Sequence, residues 1–240
     1  MIAPLGSATS GRLVFTAGAV DVTLLTEPAL QGLVRGRFVR RVSWVGFEAG
    51  IVMVGYYPEA PRHPGATCPF FLPLNRRDSP DKTGDAITLN ASIPWEIEFR
   101  GSTSNLNADL RGLELRSLDL LGGASQINLL LSRPSNATFI YITGGIRDGT
   151  IRVPAGVGMR VQVSGGVSDL LFDGQHFAEI GGATILENSI FKSATSRCDI
   201  CIAGGASNLT IVELAPLRLR RRQARRDRPD PRCSSRSSPE

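Results

Sequence analysis

Apolar and polar residues alternate along most of this chain, in many short runs rather than a few long ones. Trp95, Ile97 and Phe99 form one such run, and Ile127 and Leu129 belong to another. Alternation with period two gives an extended strand one apolar face, whereas an amphipathic helix repeats about every 3.6 residues. The 26 glycines and 15 prolines add frequent turns. The sequence therefore predicts an all-β fold.

A glycine-centred motif recurs between these runs with nearly constant spacing. Its copies begin at Gly101 (GSTSNL), Gly122 (GGASQI), Gly144 (GGIRDG), Gly165 (GGVSDL) and Gly204 (GGASNL). The first three steps are 21, 22 and 21 residues, and the last is 39, with a further copy, GGATIL, in between. Steps of this size are typical of repeat proteins.

A unit of about 21 residues cannot bury its apolar face alone, so the units are expected to stack. The sequence predicts a single-stranded β-solenoid, similar to a right-handed β-helix, with Gly-Gly corners. Glycine is expected there because a Cβ would clash or the backbone would need a positive φ. The predicted corner residues are Gly18, Gly101, Gly122, Gly123, Gly144, Gly145, Gly165, Gly166, Gly181, Gly182, Gly204 and Gly205.

A leucine-rich repeat is the competing fold. The segment LRGLELRSLDLL at 110–121 has the leucine spacing of that repeat. It occurs once and lacks the asparagine of the motif, so the β-solenoid is favoured.

The composition divides the chain into three parts. Residues 1–10 are expected to be flexible, and 11–214 to form the β-solenoid domain, with a proline-rich surface loop at 58–85. The tail, 215–240, is polar and basic and is predicted to be disordered.

The positive charge of the chain is concentrated in the tail. The net charge is +5, but 215–240 holds nine arginines and three acids, which leaves −1 for residues 1–214. An arginine cluster attracts nucleic acid or an anionic membrane. The residues predicted to contact such a partner are Arg218, Arg220, Arg221, Arg222, Arg225, Arg226 and Arg228.

Cys198 and Cys201 form a C-x-x-C pair, the spacing of zinc or redox motifs. The pair lies within a predicted strand, where residues three apart point to opposite faces. A structural role is therefore favoured, and no metal or cofactor is predicted.

Carboxylates are the other candidate chemistry, because some β-helices are carbohydrate-active enzymes. Asp148 and Asp169 follow their glycine corners at equivalent positions, and stacking could bring them together. Asn105 and Gln126 interrupt this row in the preceding units. His176 lies near Asp173, but no serine is set in a strained elbow such as G-x-S-x-G to act as the nucleophile. A catalytic triad is therefore not favoured. We predict that the chain is not an enzyme.

Three segments resemble a known family: PWEIEFRGSTSNLNADLRGLELRSLDLLGGASQ, VSGGVSDLLFDGQHF and GGASNLTI. They are similar to the LiaF-like C-terminal and toast-rack domains of bacterial envelope-response proteins, and to putative-adhesin β-solenoids. The resemblance covers about residues 11–214. It implies a link to cell-envelope stress signalling and supplies no catalytic residues. Membrane helices that often precede the solenoid in that family are not seen in this sequence.

These observations predict a non-enzymatic binding or scaffold protein with a protein partner. The alternative is a structural polymer like the bactofilins, in which open solenoid ends pair. A carbohydrate-active β-helix enzyme is a weaker alternative, and no small-molecule substrate is predicted. The N-terminal sequence lacks a basic segment followed by an apolar one, so a cytoplasmic location, with contact to the membrane surface as a variant, is expected.

Overall fold

The computed structural model describes residues 1–39, 42–56 and 84–214, without the side chains of 42–44 and 56. This part of the chain forms nineteen β-strands and no helix, so the predicted all-β class is confirmed. The described residues therefore contain no helix that is long and apolar enough to cross a membrane. Residues 58–83 of the predicted loop 58–85 lie outside the described residues. The whole basic tail, 215–240, also lies outside them.

Ten of the described strands form one sheet, sheet A. Their spatial order is β1 (Ile2–Ala3), β4 (Val34–Arg37), β7 (Asp85–Asn90), β3 (Ala19–Glu27), β9 (Thr103–Asp109), β11 (Ala124–Leu130), β13 (Ile146–Pro154), β19 (Ala206–Leu214), β15 (Val167–Phe172) and β16 (Gln175–Ile180).

The other nine form sheet B. Their order is β17 (Thr184–Glu187), β14 (Gly158–Val163), β18 (Arg197–Ile202), β12 (Ala137–Ile142), β10 (Leu115–Leu120), β8 (Trp95–Phe99), β2 (Gly11–Phe15), β6 (Ile51–Tyr56) and β5 (Val42–Glu48).

Both sheets are mixed. Their central strands are parallel, but antiparallel pairs close both ends of each sheet: β1–β4, β4–β7 and β15–β16 in sheet A, and β5–β6 and β14–β17 in sheet B. A single-stranded solenoid would be parallel throughout. One cause of the difference is the turn at Asp173 and Gly174, where φ is +48° and +79°. Two successive positive φ values favour a tight hairpin, which reverses the chain.

A unit recurs in the centre of the molecule: one strand of sheet B, a glycine corner, and one strand of sheet A. The units are β2–β3, β8–β9, β10–β11, β12–β13, β14–β15 and β18–β19. Neighbouring units pair in register, so that Ile97, Leu118 and Ile140 align across sheet B. These inward side chains are fully buried and form the core between the two sheets.

The stacking order departs from the chain order at both ends. The last unit, β18–β19, lies between β12–β13 and β14–β15. At the other end, β6 and β7 lie outside β2–β3, although they follow it in the chain. The sequence shows the repeat but contains no signal for this interleaving.

The first ten residues are also part of the folded body. In β1, Ala3 pairs with Val34. The N-terminal amine of Met1 donates to the carbonyl of Gly36 at 3.0 Å, and the Gly36 amide donates back to the Met1 carbonyl at 2.9 Å. The flexible segment expected at 1–10 therefore begins with a short edge strand.

Candidate functional site: an aromatic patch on sheet B

Two aromatic side chains stand on the outer face of β12. The strand reads ATFIYI, and its alternation buries Thr138, Ile140 and Ile142 while Phe139 and Tyr141 point outward. Each residue is 40% exposed, and the ring centroids lie 6.3 Å apart with planes 10° from parallel. Large aromatic side chains are usually buried, so a stacked pair in solvent marks a surface of interest.

The neighbouring strands add short polar groups around the rings. In register, Phe139 lies between Ser117 of β10 and Asp199 of β18, and Tyr141 lies between Asp119 and Cys201. Leu121, at the end of β10, is 42% exposed. We call Ser117, Asp119, Leu121, Phe139, Tyr141, Asp199 and Cys201 the aromatic patch.

Paired charges border the aromatic patch. On one side, Glu98 accepts hydrogen bonds from Arg12 and Arg100, each at 2.7 Å. On the other side, Arg160 Nε donates to Asp199 Oδ1 at 2.5 Å. An apolar, aromatic centre within a charged rim is the usual anatomy of a protein interface.

Two carboxyl groups at this face have opposite pKa shifts. Burial raises the pKa of Asp119, and the carboxylates of Glu98 and Glu96 act in the same direction. Burial also acts to raise the pKa of Glu98, but hydrogen bonds from Arg100 and Arg12 outweigh it, and the pKa is lowered. Glu98 is therefore a stable anion, whereas charge on Asp119 is disfavoured.

The predicted corner glycines fall into two classes. Those at the first position of each corner lie against the backbone of a neighbouring unit. A Cβ built on them would lie 2.2–2.5 Å from that backbone. These residues are Gly101, Gly122, Gly144, Gly165 and Gly204. Ala17 takes this position in the first unit, since Gly101 packs against it.

The second position has no such constraint. At Gly123, Gly145, Gly166 and Gly205 φ is not positive, and an added Cβ would meet nothing closer than 3.7 Å. Gly18 and Ser102 are the equivalents in the first two units. The expectation that a clash or a positive φ requires glycine is thus wrong for Gly123, Gly145, Gly166 and Gly205, whereas a Cβ on Gly18 would lie 3.2 Å from the carbonyl oxygen of Ser102.

Gly181 and Gly182 have a different setting from the other predicted corners. They connect β16 to β17, so the chain passes from sheet A back to sheet B. Gly182 has a φ of +70°. This reversed crossing accounts for the 39-residue step in the repeat.

A row of left-handed residues crosses sheet A at the third position of each unit's strand. Its members, in spatial order, are Asp21, Asn105, Gln126, Asp148, Asn208 and Asp169, with φ between 52° and 56°. Each is left out of the pairing on both strands at the same place, so the register is kept on either side of it. Asn and Asp tolerate this conformation, which explains their recurrence in the motif.

This row places Asn208 between Asp148 and Asp169. Asp148 and Asp169, which the repeat spacing suggested as stacked neighbours, are therefore separated by an amide. Asp169 instead lies 3.5 Å from His176 Nε2 of β16, and both side chains are more than half exposed. The geometry provides no close carboxylate pair at these positions.

The two cysteines of the C-x-x-C pair point to opposite faces of β18. Cys198 is 1% exposed, and burial raises its pKa to about 12. Cys201 lies on the outer face beside Tyr141. Within the described ranges, no group of three or more His, Cys, Asp or Glu residues is arranged to hold a metal ion.

The aromatic patch was not predicted from the sequence. Its signal was the segment TFIYI, in which the isoleucines take the inward positions and leave both aromatic residues outside. The predicted arginine contacts at 218–228 lie outside the described residues.

Comparison with family models found no match, and comparison with curated proteins found none either. Among solved structures, the chain is similar to a putative cell adhesion protein from Clostridium sporogenes. The TM-score is 0.59 at 18% sequence identity, and the match covers 89% of this chain and 97% of that one. The likeness is one of fold, and it is compatible with the putative-adhesin part of the sequence resemblance. The LiaF-like and toast-rack assignments rest on the sequence motifs alone.

Proposed function

We propose that this chain is a non-enzymatic binding protein of β-solenoid type, and that the aromatic patch holds a partner protein. The observation that carries the proposal is the exposed pair Phe139 and Tyr141 at the centre of sheet B. Aromatic residues dominate the energetics of protein interfaces when a ring of polar contacts excludes water around them. Sheet B supplies such a ring through Arg12, Arg100 and Arg160.

The rigidity of the surface supports the same function. Phe139 and Tyr141 lie on a strand paired on both sides, over a continuous buried core. A partner would lose little free energy to ordering this surface, because it is already ordered. The structural neighbour, a putative cell adhesion protein, agrees with a role in surface binding.

Affinity capture with a matched variant tests the proposal. The double variant Phe139→Ser, Tyr141→Ser removes both rings, whereas Ile185→Ser removes a 58% exposed apolar side chain on β17. The full-length proteins, immobilised, would be exposed to an extract of the cells that produce this chain. We expect one or more partners to be retained by the native protein and by Ile185→Ser and lost with the double variant. An identical retained set for all three proteins would contradict the proposal.

A self-assembling polymer is the second candidate. The observation that favours it is that the outer edges of β5 and β17 pair with no other strand in the part of the chain that the structure describes. The antiparallel strands at both ends weigh against it, because stacked units would continue most directly through parallel edges. Light scattering of the full chain over a range of concentrations separates the two functions. A constant mass supports the binding protein, and a mass that rises steadily with concentration supports the polymer.

A further inference from the structure

The surface around the aromatic patch carries more negative than positive charge. Two rows of aligned residues cross Phe139 and Tyr141 between β2 and β14, and they contain four carboxylates and two arginines. These residues are Glu96, Glu98, Asp119, Asp199, Arg12 and Arg160. Arg100 adds a third positive charge through its hydrogen bond to Glu98. The charge balance therefore favours a cationic partner over an anionic one.

The arginines at the border of the aromatic patch are already paired. Glu98 accepts hydrogen bonds from Arg12 and Arg100, and Asp199 accepts one from Arg160. Their positive charge is compensated locally, so it opposes the approach of a further cation only weakly.

Asp119 lacks such a cation. It is half-buried beside Tyr141, with which it aligns on the neighbouring strand. It accepts a hydrogen bond from the Ser117 hydroxyl at 3.2 Å, but no arginine or lysine of the described ranges forms a salt bridge with it. Burial raises the pKa of Asp119, and the carboxylates of Glu98 and Glu96 act in the same direction. A cation supplied by a partner would favour the charged form of this carboxyl group.

The two rings provide a second attraction for a cation. A guanidinium within about 6 Å of a ring centroid is attracted by the negative face of the ring. The centroids of Phe139 and Tyr141 are 6.3 Å apart and the rings are nearly parallel, so one guanidinium can approach both. Arg160 and Arg197 already make this contact with Phe191, at 4.8 and 5.3 Å from its centroid. Among the described residues, no arginine or lysine takes this position over Phe139 or Tyr141.

Arginine fits this surface better than lysine. Its guanidinium is planar, stacks on aromatic rings and donates two parallel hydrogen bonds to a carboxylate. Tyr141 and Asp119 lie on neighbouring strands about 4.8 Å apart, so a guanidinium over the ring would be within reach of the carboxylate. The ammonium of lysine is more strongly hydrated and has no planar face to stack.

We infer that the partner of the aromatic patch inserts an arginine side chain, which stacks on Phe139 and Tyr141 and pairs with Asp119. This inference rests on the function proposed above and names the chemistry of the partner, a protein segment that exposes an arginine. Phosphate-bearing partners are disfavoured at this surface, because its carboxylates would repel them.

NMR titration of the full-length, ¹⁵N-labelled protein tests the inference. The probe is the peptide acetyl-Ser-Gly-Arg-Gly-Ser-amide, and two control peptides carry citrulline or lysine instead of arginine. Citrulline keeps the shape of arginine without its charge. We expect saturable shifts of the Asp119, Phe139 and Tyr141 amides, with a Kd about tenfold lower for arginine than for citrulline. An equal affinity for either control peptide, or shifts confined to residues outside sheet B, would overturn the inference.

Three variants then test the named side chains. Tyr141→Leu keeps an apolar side chain without the aromatic face, and Asp119→Asn removes the charge. The control, Asp169→Asn, removes a charge from an exposed residue of sheet A whose left-handed backbone suits asparagine. We expect the first two variants to raise the Kd of the arginine peptide about three- to tenfold and the control to leave it unchanged. Equal Kd values for all three, each with the amide spectrum of a folded protein, would contradict the assignment.

The tail of the chain is another source of arginine, since 215–240 contains nine. A full-length variant separates it from a partner by placing glutamine at Arg218, Arg220, Arg221, Arg222, Arg225, Arg226 and Arg228. We expect this variant to bind the arginine peptide as the native protein does. Binding by the variant alone would show that the tail occupies the aromatic patch, and would overturn the assignment to a partner.

The capture experiment with the double variant separates this inference from the proposed function, because capture assumes nothing about the chemistry of the partner. A partner lost with the double variant, together with no response to the arginine peptide, would refute the arginine assignment alone. An identical retained set for all the captured proteins would instead refute the aromatic patch as the surface that holds a partner.

Discussion

Asn208 donates a hydrogen bond from Nδ2 to Oδ1 of Asp148 at 2.7 Å, although 60 residues separate them in the chain. The contact exists because β19 lies between β13 and β15. It places an amide between Asp148 and Asp169, so neither carboxylate faces the other across a strand. Asn105 likewise donates to Asp21 through a bond of 2.8 Å. Because amides separate the acids along this row, its exposed polar residues stack without like-charge repulsion between neighbours.

Asn208→Asp should therefore destabilise the fold. The new carboxylate would lose the hydrogen bond to Asp148 and lie between two acids, while the left-handed backbone would still suit aspartate. We expect the free energy of unfolding to fall by about 1 kcal/mol at low ionic strength and by less in high salt. Urea denaturation at two salt concentrations measures this. Asn107→Asp, in a row without a neighbouring acid, is the control and should show little salt dependence. An unchanged stability of Asn208→Asp would refute the stabilising role of the amide between Asp148 and Asp169.

The two glycines of one corner should respond differently to alanine. In Gly144→Ala, the new Cβ would lie 2.2 Å from the carbonyl oxygen of Gly122, and backbone cannot move aside easily. We expect a loss of about 2–3 kcal/mol. In Gly145→Ala the nearest atom is 3.7 Å away, and the change should stay within about 0.5 kcal/mol. Equal unfolding midpoints in urea for the two variants would show that the corner geometry described above is wrong.

Exposed and buried aromatic residues should also differ. Phe99 is 1% exposed and stacks on Phe15 with centroids 4.5 Å apart, so Phe99→Ala should cost about 3–5 kcal/mol. Phe139→Ala removes a ring that is 40% exposed and should cost less than about 1 kcal/mol. Denaturant unfolding checks both values. A large loss for Phe139→Ala would mean that the aromatic patch serves folding rather than binding.

The pKa shifts of Asp119 and Asp109 predict opposite pH effects. Burial raises the pKa of Asp119, so its ionised form costs stability at neutral pH, and this cost disappears below the unfolded pKa near 4. We expect Asp119→Asn to raise Tm by about 1–2 °C at pH 7 and to match the native protein near pH 3.5.

Asp109 is the matched control. A hydrogen bond from Arg111 lowers its pKa, so its charge stabilises the fold above the unfolded pKa, and this stabilisation is lost as pH falls through the folded value. Asp109→Asn should therefore lower Tm at pH 7 and lose its effect in acid. Thermal unfolding of the three proteins across pH 3–7 measures this, and shifts of the same sign in both variants would contradict the assignment.

The C-x-x-C cysteines should react at very different rates. Cys198 is buried with a pKa near 12, whereas Cys201 is partly exposed on the outer face. Iodoacetamide labelling of the native protein, followed by peptide mapping, should modify Cys201 and leave Cys198 unmodified until the chain is unfolded. Equal labelling of both thiols, or a disulfide between them, would show that β18 does not hold them on opposite faces.

Local patterns predicted more of this fold than of its site. Period-two alternation located the strands, and the glycine steps located the units, because both depend on residues close in the chain. The position of β18–β19 between two earlier units depends on which edges pair after the chain reverses at Asp173 and Gly174. No residue of the motif GGASNL encodes that choice.

The aromatic patch was hidden for a related reason. TFIYI is apolar at almost every position, so its pattern indicates a strand without stating which face is outside. Ile140 aligns with Leu118 and Ile200 on the neighbouring strands, which places it in the core. Ile142, two residues on, points the same way, so Phe139 and Tyr141 lie on the outer face.

The place of the last unit has a consequence for synthesis. A ribosome releases the N-terminal units first, yet β12–β13 and β14–β15 each keep an unpaired parallel edge until residues 197–214 have emerged. The nascent chain therefore carries a gap one strand wide in each sheet, which only its own final segment fills in register. A product truncated before Arg197 would retain both gaps, and unpaired strand edges are where aggregation begins.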